Sequence, residues 1–133
     1  MNAVMEIDWG IIVYDVWCSL RIIKFMNAIA NIIIAILKNE GMVFLAGNGG
    51  SFDLANHFEE EMICKFIKIR KPLAVLALKA HTSTSNDFGY KYVFSRQIEA
   101  YGKAGDVFIG ISTSGKSKNI LQAIKVAKKK KMI

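Results

Sequence analysis

At 133 residues, with 53% apolar side chains and a single proline, the chain is long enough to bury one core and too apolar for a disordered segment. Its net charge of +7 raises nucleic acid as a partner. Much of that excess sits in one run, Lys128 to Lys131, where lysines complement a helix C-terminus, so no nucleic-acid partner is expected.

The N-terminal segment, residues 6 to 38, is apolar on nearly every helical face, with Ile11, Tyr14, Leu20, Ile23, Met26, Ile29, Ile33 and Leu37 among its large side chains. Its uncharged stretch from Phe25 to Leu37 lies between Lys24 and Lys38 and falls short of the roughly 20 residues that a spanning helix needs. Acidic Glu6, Asp8 and Asp15 stand where a signal peptide would be basic. No membrane span or leader is therefore expected. Residues 1–38 read as a helical segment, either one long core helix or a helix partly packed against another subunit. Cys18 and Cys64 lack CxxC spacing and read as packed thiols in a reducing, cytoplasmic setting.

After a helix stop at Asn39-Glu40-Gly41, the run Met42 to Ala46 is continuously apolar and bounded by glycines, the pattern of a strand buried on both faces. A loop, Gly47-Asn48-Gly49-Gly50-Ser51, leads into a helix predicted over Phe52–Ile67. Pro72 introduces a second strand, Leu73 to Leu78, and a helix is predicted over Tyr90–Tyr101. The third strand, Asp106 to Ile111, runs into the loop Ser112-Thr113-Ser114-Gly115-Lys116-Ser117 and a helix over Lys118–Lys130. Strand and helix alternate, so the expected fold is α/β, a parallel sheet with helices on both faces.

Both loops join a strand to a helix start, where unpaired backbone N–H groups and the helix dipole favour an anion. Four hydroxyls, on Ser112, Thr113, Ser114 and Ser117, surround one helix start, and capping accounts for a single one. Neither loop is a nucleotide fingerprint: the first lacks GxGxxG spacing and the second lacks the leading glycine of GxxxxGK[ST], which argues against an NTPase. Two such loops at the C-terminal ends of parallel strands would face one crevice, the place where open α/β sheets bind ligands. On the first helix, His57 and Glu61 are one turn apart on one face. They could share a metal ion or act on one substrate, and a solvated His–Glu pair explains the spacing equally well.

The loop Gly47–Ser51, His57-Phe58 with Glu61, Asn86-Asp87-Phe88-Gly89, Phe94-Ser95-Arg96-Gln97 with Glu99-Ala100, and Gly105-Asp106-Val107 followed by Gly110 to Gly115 stand in an order that resembles the phosphoheptose isomerases of the SIS-domain (sugar isomerase) family. The resemblance covers the chain from about Lys38 onward. It implies an SIS-type sheet in residues 39–133 and the isomerisation of sedoheptulose 7-phosphate to a heptose 7-phosphate, a step toward bacterial surface heptoses in lipopolysaccharide or capsule. It also implies that Ser51, Ser112, Thr113, Ser114 and Ser117 hold the phosphate, with Gly49 and Gly50 in the same loop. Asn48 and Asp87 would stand near the sugar hydroxyls. Glu61 would be both catalytic acid/base and zinc ligand, His57 a second ligand, and the assembly a homotetramer with sites shared between subunits. No membrane partner is implied.

The chain also departs from the family pattern. Leu54 stands where an aspartate is usual, with Asp53 one place earlier, Cys64-Lys65 replaces glycine-arginine, and Lys116 replaces asparagine. The stretch from Lys79 to Ser85 is about four residues short, and the chain reaches Met132-Ile133 where a next strand would begin. The expected sheet is therefore incomplete, with the first three strands only. A glutamine and a histidine that would complete zinc binding and catalysis have no counterpart here, which suggests a C-terminally truncated chain of impaired activity. The competing readings are a non-catalytic SIS module that binds a phosphosugar or a DnaA-type protein, and a peripheral membrane protein using the N-terminal helix.

Overall fold

The computed structural model describes residues 19–133, with side chains from Lys24 onward. The first part of the N-terminal helical segment and Cys18 lie outside the described residues. Helix α1 (Ser19–Lys38) is followed by β1 (Val43–Gly47), α2 (Gly50–Ile63), β2 (Val75–Ala77), α3 (Thr82–Phe88), a 3₁₀ turn at Tyr90–Tyr92, α4 (Ser95–Tyr101), β3 (Val107–Ile111) and α5 (Lys118–Lys129).

The three strands are parallel, with β1 central in the order β2-β1-β3. Val43 pairs with both Val75 and Val107, and Gly47 pairs with Ile111. Alternate residues face opposite layers, as strand geometry requires. Phe44, Ala46 and Phe108 pack with Val93, Phe94 and Ile98 and with Ile120, Ala123 and Ile124 of α5. Val43, Leu45, Val107 and Ile109 turn the other way, toward Ala55, Phe58 and Met62 of α2 and Ile32, Ile33, Ile36 and Leu37 of α1. Helices on both faces bury every residue of β1, which explains its unbroken apolar sequence. Backbone bonds between Ile133 and both Asp106 and Phe108 lay the last residue along the outer edge of β3.

Two polar side chains fasten this layout. The Asp106 carboxylate accepts the Met42 N–H and the Lys103 N–H, each at 2.9 Å, tying the approach to β1 to the approach to β3. Gln97 of α4 donates to the carbonyls of Lys79 and Val93, which fixes the chain as it leaves β2.

Several element bounds differ from those the sequence suggests. Helix α2 ends at Ile63 and not at Ile67, because the Arg70 guanidinium donates to the carbonyls of Glu61 at 2.8 Å and Met62 at 2.7 Å, where a further helical turn would have done so. Ile67 then adopts φ 60°, which no helix continues through. We expect Arg70→Ala to fray this end and cost about 1.5 kcal/mol, read as a lower urea midpoint; an unchanged midpoint would refute the capping role.

Strand β2 spans only Val75–Ala77, since the Leu73 N–H donates to Met62 of α2. The helix expected over Tyr90–Tyr101 is interrupted between Tyr92 and Ser95. Within the short stretch after β2, the Ser/Thr/Asn/Asp-rich segment Thr82–Phe88 forms α3, which ends at Gly89 with φ 92°. Cys64 is exposed, in contrast to the packed thiol expected, because it caps the end of α2. In α1, Ile32, Ile33, Ile36 and Leu37 meet the sheet while Met26 and Ile34 are exposed, so its described part is not buried all round. Among the described residues, no helix is long and apolar enough to cross a membrane.

Candidate functional site

Strand β1 ends where the backbone must turn at once into α2. A Cβ on Gly47 would lie 2.3 Å from the Ser51 carbonyl oxygen, so only glycine lets the strand end abut the helix start. Gly49 takes φ 52° as the residue before α2, and no side chain caps that helix start. The first turn of α2 therefore rests on a bare glycine backbone, the arrangement that lets an anion approach N–H groups closely.

The loop after β3 reaches α5 in a similar way. Ser117 is the residue before α5, yet its hydroxyl does not cap the helix; it lies 2.9 Å from the Ser112 hydroxyl. The Ser114 hydroxyl accepts the Lys116 N–H at 3.2 Å, and Thr113 and Ser114 are exposed. One of the Ser112 and Ser117 hydroxyls donates to the other, so a single O–H of the pair stays free to donate to a bound anion.

The two loops are joined side chain to side chain. Asn48 Nδ2 donates to Asn119 Oδ1 at 3.0 Å, Asn119 Nδ2 donates back to Asn48 Oδ1 at 2.8 Å, and the Tyr90 hydroxyl donates to Asn48 Oδ1 at 3.0 Å. Beside them opens a cleft of about 430 Å³ lined by Gly47, Asn48, Gly49, Phe52, Asp53, Lys79, Ala80 and Tyr90. It lies at the C-terminal ends of β1 and β2, the side of the sheet where α/β folds bind ligands.

Of the residues singled out in the sequence, Asn48 and Gly49 line this cleft; Gly50, Ser51, Asp87 and the loop Ser112–Ser117 do not. Asp87 accepts a hydrogen bond from the neighbouring Asn86 side chain at 2.9 Å and is exposed. His57 Nε2 and Glu61 Oε1 stand 4.0 Å apart with side chains 69% and 33% exposed, in the C-terminal half of α2. That nitrogen and oxygen donor pair suits zinc as two ligands of a larger set, and no group of three metal-ligating side chains occurs among the described residues. Asn119, Tyr90 and Lys79 escaped the sequence reading. Only the position of Asn119, in the first turn after a serine-rich loop, hinted at a role.

The SIS domain family model matches residues 23–133. The phosphoheptose isomerase of Helicobacter hepaticus is 48% identical over 103 residues, 74% of this chain and 53% of that protein. Its counterpart in Neisseria meningitidis is 45% identical over 107 residues, 77% of this chain and 54% of the other. Among solved structures, the phosphoheptose isomerase of Neisseria gonorrhoeae superposes with a TM-score of 0.69 at 42% identity, covering 77% of this chain and 55% of the other. That of Francisella tularensis reaches 0.74 at 34% identity, covering 77% and 56%. The chain thus spans about half the length of the curated relatives it matches.

Proposed function

The chain belongs to the SIS-domain family, and we propose on that footing that its two loops bind the phosphate of a sugar phosphate, in the isomerisation of sedoheptulose 7-phosphate to a heptose 7-phosphate. The observation that carries this reading is the pair of strand-to-helix loops on the adjacent strands β1 and β3, linked through Asn48 and Asn119. Backbone N–H groups at the start of α2, with Ser51 and the hydroxyls of Ser112, Thr113, Ser114 and Ser117, hold the phosphate. The cleft beside Asn48 receives the polyol chain, with Asp53 as acceptor and Lys79 as donor.

Moving a carbonyl between C1 and C2 requires a proton taken from one carbon and returned to the other, with charge spread over an enediol between. Glu61 is the carboxylate for that transfer. A zinc ion held by His57 and Glu61 together with further donors would polarise the carbonyl. By family likeness the assembly is a homo-oligomer, a tetramer with sites shared between subunits. Exposed Phe66, Ile67 and Ile69, the last two 84% and 89% accessible, are apolar surface for such contacts. A sugar-phosphate substrate of this kind favours a cytoplasmic location.

Incubation with sedoheptulose 7-phosphate, followed by detection of the aldose, tests this function. Turnover is expected to fall about 10³-fold in Glu61→Gln while sugar-phosphate affinity stays within about twofold. Clear turnover by the unsubstituted chain would overturn the expected impairment, binding without turnover fits the impaired isomerase and the non-catalytic module alike, and absence of binding would refute both.

A further inference from the structure

Asn119 is 3% exposed at the start of α5, and each of its polar atoms is used. Its Oδ1 accepts both Asn48 Nδ2 at 3.0 Å and the Ile120 N–H at 3.0 Å, and its Nδ2 donates to Asn48 Oδ1 at 2.8 Å. On the other side of the pair, Asn48 Oδ1 also accepts the Tyr90 hydroxyl at 3.0 Å. An amide oxygen has two lone pairs, so that of Asn48 is fully occupied by protein and only one Nδ2 hydrogen remains to meet a ligand.

We propose that Asn119, assisted by Tyr90, is a positioning residue: through the reciprocal amide pair it clamps Asn48 and so locks the Gly47–Ser51 loop against the first turn of α5, making the two anion loops one rigid unit. Asn48 acts as the handle of this clamp and is not chiefly a sugar ligand.

Three features single out this pair among the loop contacts. It bridges 71 residues of sequence, so it joins two elements that the sheet alone holds only through β1 and β3. It is doubly hydrogen-bonded, which fixes the plane of the Asn48 amide as well as its position. The Asn48 carbonyl accepts the Ser51 N–H at 3.1 Å, so a shift of Asn48 moves the phosphate-facing backbone directly. Preformed donors bind an anion more tightly than donors that must be ordered on binding.

The ligand half of the inference rests on the proposed sugar-phosphate function, and the loop half does not. Hydrogen exchange on the ligand-free protein tests the loop half: the amides of Ser51 and Phe52, which donate to the carbonyls of Asn48 and Gly49, should exchange at least 10-fold faster in Asn119→Ala, and about 3-fold faster in Tyr90→Phe. Unchanged exchange would overturn the clamp whatever the ligand. Tyr90 is exposed, so its variant keeps the test open if Asn119→Ala does not fold.

Titration with sedoheptulose 7-phosphate, at a temperature where circular dichroism reports intact fold, tests the ligand half through Asn48→Ala, Asn119→Ala and the double variant. Asn119→Ala should raise Kd about 10-fold, and the double variant should bind no more weakly than the weaker single one. A lowered melting temperature with unchanged Kd would reduce Asn119 to a stabilising residue, and multiplicative losses would mean that each side chain meets the ligand independently; either result overturns the proposal. Failure of the unsubstituted chain to bind, with exchange accelerated as expected, would refute the proposed function and leave the clamp standing.

Discussion

Replacing Asp106 with alanine is expected to lower the free energy of unfolding by about 3 kcal/mol, among the largest losses available from a single polar side chain in this fold. Asp106 is 1% exposed, and its two oxygens separately accept the N–H groups of Met42 and Lys103. Alanine leaves two part-buried donors short of a partner, and hydrogen bonds to a charged acceptor contribute more than neutral ones. Because Met42 leads into the central strand and Asp106 leads into β3, the loss falls on the pairing of Val43 with Val107, where the two strands begin. Thermal unfolding should drop by on the order of 10 °C. The milder substitution Asp106→Asn keeps one acceptor oxygen and should lose less. A shift under about 2 °C for the alanine variant would mean that the carboxylate does not hold the strand starts together.

Gly47→Ala is expected to be as damaging, through shape. The added Cβ would meet the backbone of Ser51 at 2.3 and 2.4 Å and the Phe52 nitrogen at 2.8 Å, and none of these atoms belongs to a side chain that could rotate away. The first turn of α2 must move, at a cost of about 3 kcal/mol. Ser51 and the loop N–H groups move with it, so phosphate affinity should fall at least 10-fold in whatever fraction remains folded. Gly50→Ala is the matched control for stability, since nothing lies within 4 Å of its Cβ position, and it should leave the unfolding midpoint unchanged or slightly raised. Equal midpoints for the two variants would contradict the close-approach account of Gly47.

How far the sequence could be read depended on the range of the interactions. The apolar runs at Val43–Gly47 and Val107–Ile111 and the two loops after them were legible because burial on both faces and glycine at the turns leave a local mark. Helix α5 was placed to within a residue for the same reason, its apolar residues recurring at helical spacing. Strand order was not legible: β1 lies between β2 and β3 because of pairings across more than 30 residues, which no window of sequence displays. The early stop of α2 depended on Arg70, whose role appears only when the chain folds back onto the carbonyls of Glu61 and Met62. Helix α3 escaped notice because serine, threonine, asparagine and aspartate favour caps and turns over helix interiors, yet here they form one short helix.

The site divides along the same line. Spacing alone placed His57 and Glu61 on one face of α2, and the structure sets them 4.0 Å apart. Spacing could not reveal that Asn48 is engaged by Asn119 and Tyr90, since both partners lie more than 40 residues away. The hydroxyl of Ser117, the residue before α5, is turned toward Ser112 and does not cap the helix, a distinction that rests on side-chain orientation.

The claim on which the rest depends is that the loops after β1 and β3 together hold the phosphate of a sugar phosphate. Titration of the protein with sedoheptulose 7-phosphate, followed by the backbone amide resonances of both loops, tests it most directly. The account predicts that Gly49, Gly50 and Ser51 shift together with residues 112–118 along a single binding curve, and that Ser112→Ala weakens the response in both loops. Shifts confined to one loop, or to residues away from the C-terminal ends of the strands, would contradict it.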